Sequence, residues 1–171
     1  IAPIALETMK FTEDNVVKNN LNIGNSIYPN YKVTDGVLLE YQSETGYDYI
    51  DEEGNKVIDV PNVVEIIPAN IFKLNRNVDK VIFSEYLDVI GERTFMDCSV
   101  KEIVMPKSMS SIGVSAFNRT NIGVMNIPTG LASIERFFLH NTHIKSVVIP
   151  DTVTEIREQA FGACYKLNSV Y

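Results

Sequence analysis

The sequence predicts an α/β solenoid: a right-handed stack of short parallel strands with short helical or 3-10 turns, capped by an N-terminal helix and a small β-meander. Three observations lead there. A unit of 22 residues recurs as IGERTFMDCSVKEIVMPKSMSS from Ile90, IGVSAFNRTNIGVMNIPTGLAS from Ile112 and IERFFLHNTHIKSVVIPDTVTE from Ile134. A 23-residue version precedes them from Ile67, and a truncated one, IREQAFGACYKLNSVY, follows from Ile156, giving four complete units and a partial fifth. The stacked units share apolar columns, and proline returns at one offset as Pro106, Pro128 and Pro150. Self-similarity at such a period marks an array whose units bury their faces on one another, because no unit can do so alone.

Six columns carry the signal. They are Ile67, Ile90, Ile112, Ile134 and Ile156; Phe72, Phe95, Phe117, Leu139 and Phe161; Val78, Val100, Ile122, Ile144 and Leu167; Val81, Ile103, Met125, Val147 and Val170; Phe83, Met105, Ile127 and Ile149; and Leu87, Met109, Leu131 and Val153. All 24 positions of the complete units are apolar, which at 45 % hydrophobic content has a chance probability on the order of 10⁻⁸ before choice of register. Within a unit, Val100, Ile103 and Met105 end in a period-2 pair and read as a short strand. The proline that follows lacks an amide donor and ends each strand. Between Ile90 and Phe95 the apolar residues lie about a helical turn apart, which reads as a short helical or 3-10 turn opposite the strand.

The chain divides into three parts on this reading. Residues 1–30 form a helical cap and loop, because Thr12-Glu13-Asp14-Asn15 is a helix start and Phe11, Val16 and Val17 supply an apolar face. Residues 31–60 form the meander, turning at Asp35-Gly36 and leading into a first rung at Ile58–Pro61. Residues 61–171 are the repeats. Tyr171 falls inside the fifth strand, at the offset of Val104, so either the chain continues or this end packs against another copy; self-association through it is the expectation. The start at Ile1, without a basic and apolar leader, reads as a processed or excised segment.

These units resemble the leucine-rich repeats of the BspA type, which read roughly I-G-x-x-A-F-x-x-C-x-x-L-x-x-V-x-I-P; the unit from Ile156 follows that pattern closely, and VTDGVLLEY at Val33 to Tyr41 is similar to the strand-turn-strand that leads into such arrays. The resemblance covers roughly residues 31–171. It implies a leucine-rich-repeat fold and a secreted or cell-surface protein that binds a protein or other macromolecular partner, in the manner of an adhesin.

Composition narrows the function. The net charge of −7 belongs wholly to residues 1–60, which hold 11 acids and 4 bases, whereas residues 61–171 hold 11 of each. An acidic chain offers no long phosphate-binding stripe and no apolar run of membrane-spanning length, so neither nucleic acid nor membrane insertion is expected. No phosphate loop, nucleophile elbow or dinucleotide fingerprint appears, and the reading is non-enzymatic, with no cofactor and no metal. His140 and His143 form an H-x-x-H pair without further ligands at zinc spacing and read as exposed loop residues; a hydrolase built on either is the remote alternative. Asp48, Asp51, Glu52 and Glu53 before Gly54-Asn55 lack the spacing of a calcium loop and read as a charged hairpin turn between Tyr47–Ile50 and Lys56–Val60. Asn118-Arg119-Thr120 fits a glycosylation sequon, a pattern that chance supplies often.

One loop column holds Asn75, Cys98, Thr120, Thr142 and Cys164, all small side chains able to bond a buried backbone group. Its two cysteines lie three rungs apart, about 14 Å at ~4.8 Å per rung, too far for a disulfide. The candidate partner-binding surface is the outer sheet face. One outward column is Ile82, Val104, Asn126 and Val148, and its neighbour is Lys80, Glu102, Val124 and Ser146. An aliphatic row in solvent points to recognition, against the alternative that Val and Ile are there for β-propensity alone. The function expected is protein–protein interaction; the alternative is a spacer that holds other domains apart.

Overall fold

The computed structural model describes residues 30–171, so the helix expected near Thr12 lies outside the described residues. Thirteen short strands follow in order. They are β1 (Tyr31–Thr34), β2 (Val37–Tyr41), β3 (Tyr49–Ile50), β4 (Lys56–Asp59), β5 (Ile66–Ile67), β6 (Lys80–Ile82), β7 (Val89–Ile90), β8 (Glu102–Val104), β9 (Ser111–Ile112), β10 (Ser133–Ile134), β11 (Ser146–Val147), β12 (Glu155–Ile156) and β13 (Ser169–Val170). They stack as a β-solenoid with two ladders rather than one. The first runs β1-β2-β5-β7-β9 and resumes as β10-β12; the second runs β3-β4-β6-β8 and resumes as β11-β13, with a single bridge from Glu102 to Val124 between. Pairing is parallel from rung to rung, as in Lys80 to Glu102, Val81 to Ile103 and Ile82 to Val104.

Two expectations need correction. The isoleucine that opens each unit closes a two-residue strand of the first ladder, so a rung contributes two strands, with the proline corner between them. The helical or 3-10 turns do not form, and no helix occurs among the described residues. Each such segment is a pair of overlapping turns holding two residues with positive φ four apart: Asn70 and Leu74, Arg93 and Asp97, Ser115 and Arg119, Phe137 and Asn141, Gln159 and Ala163. A left-handed residue breaks the i to i+4 bonding of a helix. Alternate amides turn outward along the stack instead: Asn70, Phe72 and Leu74 donate to the carbonyls of Glu92, Thr94 and Met96 at 2.9–3.1 Å. The same triplet of bonds joins every later pair of rungs, ending with Phe137, Leu139 and Asn141 donating to Glu158, Ala160 and Gly162. This turn strip is unbroken where both strand ladders are interrupted.

The core lies between the two ladders and the strip. Of the 24 column positions in the complete units, all are buried except Met105, Ile149 and Val153, which are half-buried against the same cluster. The phenylalanine column stacks face to face, with ring centroids of Phe72 and Phe95 4.9 Å apart and of Phe95 and Phe117 5.7 Å apart, each pair within 15° of parallel. At the fourth rung the column holds Leu139, and the aromatic run steps sideways to the adjacent Phe138, which meets Phe117 edge-on at 5.6 Å. The step keeps the ring series continuous.

At the first end the segment expected as one meander is two hairpins, each opening a different ladder. The β1–β2 hairpin turns at Asp35 (φ 48°) and Gly36 (φ 77°), the left-handed pair that a two-residue turn matched to strand twist requires. The β3–β4 hairpin starts the second ladder, its turn held by Asp51, whose carboxylate accepts from the amides of Glu53 and Asn55. Asp48 is not part of that turn. Its carboxylate accepts from Asn30 Nδ2 at 2.7 Å, the Tyr31 hydroxyl at 2.5 Å, the Tyr41 hydroxyl at 3.3 Å and the Asp59 amide at 2.8 Å, tying the two hairpins together. Burial, and then the charge of Asp48, hold the Tyr31 and Tyr41 phenols well above their ordinary range. Burial, and then Asp59, lift Tyr49 to about 12.

Two outcomes follow. Phe95→Ala removes a ring stacked on both sides, and should lower unfolding free energy by about 3–5 kcal/mol in urea titration, with Phe95→Leu losing clearly less. A raised phenol pKa in the fold means stability that is full below the ordinary value of 10.0 and lost as pH rises beyond it. Phenolate absorbance should therefore show Tyr31, Tyr41 and Tyr49 ionising only as the first end unfolds above about pH 10; ionisation of all tyrosines in one ordinary step, with circular dichroism unchanged, would refute it.

Candidate binding face

Alternation in a strand sends every second side chain outward, so the second ladder presents two outward columns. Their register is fixed by β6 and β8, with Lys80 beside Glu102 and Ile82 beside Val104. Val124 follows Glu102 through the isolated bridge, and β11 carries Ser146 onward, with Val148 directly after it. The eight candidate residues therefore fall on one face. Lys80 and Ile82 are half-buried; Glu102, Asn126 and Ser146 are exposed. Val104 and Val148 share one column with the exposed Asn126 between them, Val124 lies in the neighbouring column, and the three valines are 43 %, 62 % and 72 % exposed in that order. Tyr171 extends the column of Val148: its amide donates to the Val147 carbonyl and its carbonyl accepts from Ile149, which sets its 75 % exposed side chain one rung beyond Val148. The offset it shares with Val104 was the signal for including it.

The face is polarised along the stack. Lys80 Nζ lies 3.1 Å from Glu102 Oε1, and hydrogen bonding to Glu102 followed by the charges of Glu102, Asp51 and Glu53 raises its pKa. The β3–β4 turn thus brings acids to the first end of the face. Asp59, level with Ile82, is held above the usual carboxylate range by burial and then by Asp48. Val57 occupies the outward column beside Lys80 yet is fully buried, so along the parallel rungs from β4 the apolar exposure begins at Val104 and runs toward the far end, while β3 leaves Tyr49 and Ile50 exposed at the first end.

The loop column sits on the other side of the strands. Cys98 Sγ donates to the Phe72 carbonyl at 2.8 Å, Thr120 Oγ1 to Phe117 at 3.0 Å, Thr142 Oγ1 to Leu139 at 2.9 Å and Cys164 Sγ to Leu139 at 3.0 Å. Asn75 Nδ2 reaches the Gly46 carbonyl at 2.5 Å. Both thiols are free, and burial pushes that of Cys98 up to about 12, which keeps it protonated and unreactive at neutral pH. His140 Nδ1 lies 3.3 Å from Asn118 Oδ1, with its ring edge-on to Phe137, while His143 is exposed. Among the described residues no three His, Cys, Asp or Glu side chains come together as a metal site, and no helix is long and apolar enough to cross a membrane.

With this geometry in hand, comparison with known proteins is informative about the fold. The family model described as the BspA type Leucine rich repeat region matches residues 49–168 in six copies. The match takes in the rung of β4, ahead of Ile67, where the column alignment starts. The fold is similar to a leucine-rich repeat protein from Eubacterium ventriosum, with TM-score 0.64 and 21 % identity over 80 % of this chain. It is also similar to a leucine rich cell surface protein from Faecalibacterium prausnitzii, with TM-score 0.70 and 23 % identity over 82 % of this chain. The chain spans 39 % and 36 % of the lengths of those two proteins. No curated protein matches it.

Proposed function

Because this chain belongs to the BspA-type leucine-rich repeat family, whose repeats serve as scaffolds and protein-interaction modules, we propose that it is a non-enzymatic binding domain of a secreted or cell-surface protein. Its partner is a protein, recognised on the outer face of the second ladder. The observation that carries this reading is the set of three exposed valines, Val104, Val124 and Val148, on one face of the second ladder. The cell-surface description of the Faecalibacterium prausnitzii protein supports the location. The acids at Asp51, Glu53, Asp59 and Glu102 favour a partner with an apolar patch flanked by basic groups.

Size sets a limit. Five rungs at ~4.8 Å by three outward residues at ~3.3 Å project to about 240 Å², against about 800 Å² per partner in a standard interface. The bound partner must also touch the loops, the first end or further repeats, and contact through one such array is weak or multivalent.

Val104→Lys with Val148→Lys should abolish binding to whichever immobilised extracellular-matrix or plasma protein retains the wild-type chain, while the unfolding free energy holds within about 0.5 kcal/mol. Retention of every interaction by the folded double variant favours the spacer reading. At the far end Ile156 and Val170 leave the core columns 52 % and 58 % exposed, and the amides of Gln159, Phe161 and Ala163 have no acceptor among the described residues. This end supports self-association of the 171-residue chain, and only against a surface that supplies carbonyls. Light scattering at high concentration should show oligomers that Ile156→Lys dissolves; a strictly monomeric wild type rules it out.

A further inference from the structure

Beside the thiol column, on the loop side of the stack, lies an open hollow of about 370 Å³. It spans four successive rungs, with Arg76 from the first, Asp97 from the second, Arg119 and Asn121 from the third, and Asn141 and His143 from the fourth. At ~4.8 Å per rung that is a trough about 14 Å long. Its charge differs from the acidic first end: two guanidinium groups and an imidazole face a single carboxylate. That carboxylate is 16 % exposed and is spoken for, since Asp97 Oδ1 holds Arg119 at Nε, 3.0 Å away.

The geometry of that ion pair is the informative detail. The contact is at Nε, and neither terminal nitrogen of Arg119 has a hydrogen-bond partner among the described residues, which leaves four N–H donors on a side chain that is 58 % exposed. Asp97 is a positioning residue here. Arg76 has no ion pair or hydrogen bond with any described residue, and Asn121 uses Nδ2 on the Ser99 carbonyl while its Oδ1 has no donor. The trough therefore offers fork-shaped donors for a planar anion beside carboxamide groups that bond hydroxyls.

We propose that this hollow binds an acidic saccharide, with sugar carboxylates on Arg119 and Arg76 and sugar hydroxyls on Asn121 and Asn141. A peptide is the less favoured occupant, because peptides dock through a free strand edge or apolar anchor pockets. The trough offers neither: the amides of Asp97 and Arg119 are already bonded to the carbonyls of Asn118 and His140, and its rim is built of polar side chains. The site lies on a different side of the rung from the exposed valines, and does not depend on them.

The probe is a tetrasaccharide of alternating glucuronic acid and N-acetylglucosamine, titrated into the isotope-labelled full chain and followed by amide chemical shifts. Shifts are expected at residues 97–99, 119–121 and 141–143, with affinity reduced about tenfold by Arg119→Gln or Arg76→Gln and unchanged by Val104→Lys. Both arginines are exposed, so wild-type unfolding midpoints should confirm that the variants are folded. Equal shifts from the neutral N-acetylglucosamine tetramer, no change in affinity in either arginine variant, or absence of shifts at millimolar ligand overturns the proposal. Tighter binding of a triglutamate peptide at the same residues overturns it in favour of a peptide site.

Discussion

Everything in this protein depends on amides that find their acceptors only on the next rung. In each turn strip three N–H groups point along the stack and are bonded by the carbonyls of the following unit, from Asn70, Phe72 and Leu74 to Phe137, Leu139 and Asn141. A rung alone would leave those groups unpaired near an apolar core, at a cost of about 1–3 kcal/mol for each one buried. The strip also explains how ten non-glycine residues persist with positive φ, although each carries a steric cost of about 1–2 kcal/mol. Stacking supplies the compensating bonds, and it does so continuously. The strand ladders are interrupted after β8 and β9, whereas the strip is not.

The same one-dimensional logic governs the core and the first end. Phe72, Phe95 and Phe117 repeat at the rung spacing and stack, and Phe138 replaces the ring that Leu139 omits. Tyr41 and Tyr31 continue the aromatic series into the two hairpins, with Tyr41 meeting Phe72 at 4.9 Å. Their hydroxyl ends cannot be left in that environment without acceptors, and Asp48 provides them. One carboxylate thus terminates the aromatic column and joins the hairpins that start both ladders.

The columns were legible because burial repeats with the period, so residues such as Ile90, Phe95 and Val100 announce themselves. The turn at Asp35-Gly36 was legible because those residue types suit left-handed backbone. The turn strips were not. Among their ten left-handed positions only Asn70, Asp97 and Asn141 are residues that favour that conformation; Leu74, Arg93 and Phe137 are not. Apolar residues a turn apart then read as helix, since the tertiary bonds that override local preference lie 21 or 22 residues away. The first rung, at β4, was placed by its strand yet not counted among the repeats, because its turn half is replaced by the hairpins. Asp48 was grouped with the acids of the adjoining turn because its partners Tyr31 and Tyr41 precede it by 17 and 7 residues. The trough is illegible in the sequence for a similar reason, as Arg76, Arg119 and His143 are brought together only by stacking.

The exposed valines can be weighed against a control built into the same molecule. If β-propensity alone placed Val104, Val124 and Val148 on the outer face, outward positions of the first ladder should show the same preference. The residues before the isoleucines of that ladder are Ile66, Val89, Ser111, Ser133 and Glu155. From the third rung onward those positions are serine or glutamate, and the strands form regardless. The stack therefore tolerates polar residues at exposed strand positions, and nothing in its packing requires valine at Val148, where the side chain is 62 % exposed. An aliphatic side chain held in water where a serine would serve the fold is therefore the feature on which the proposed binding face rests.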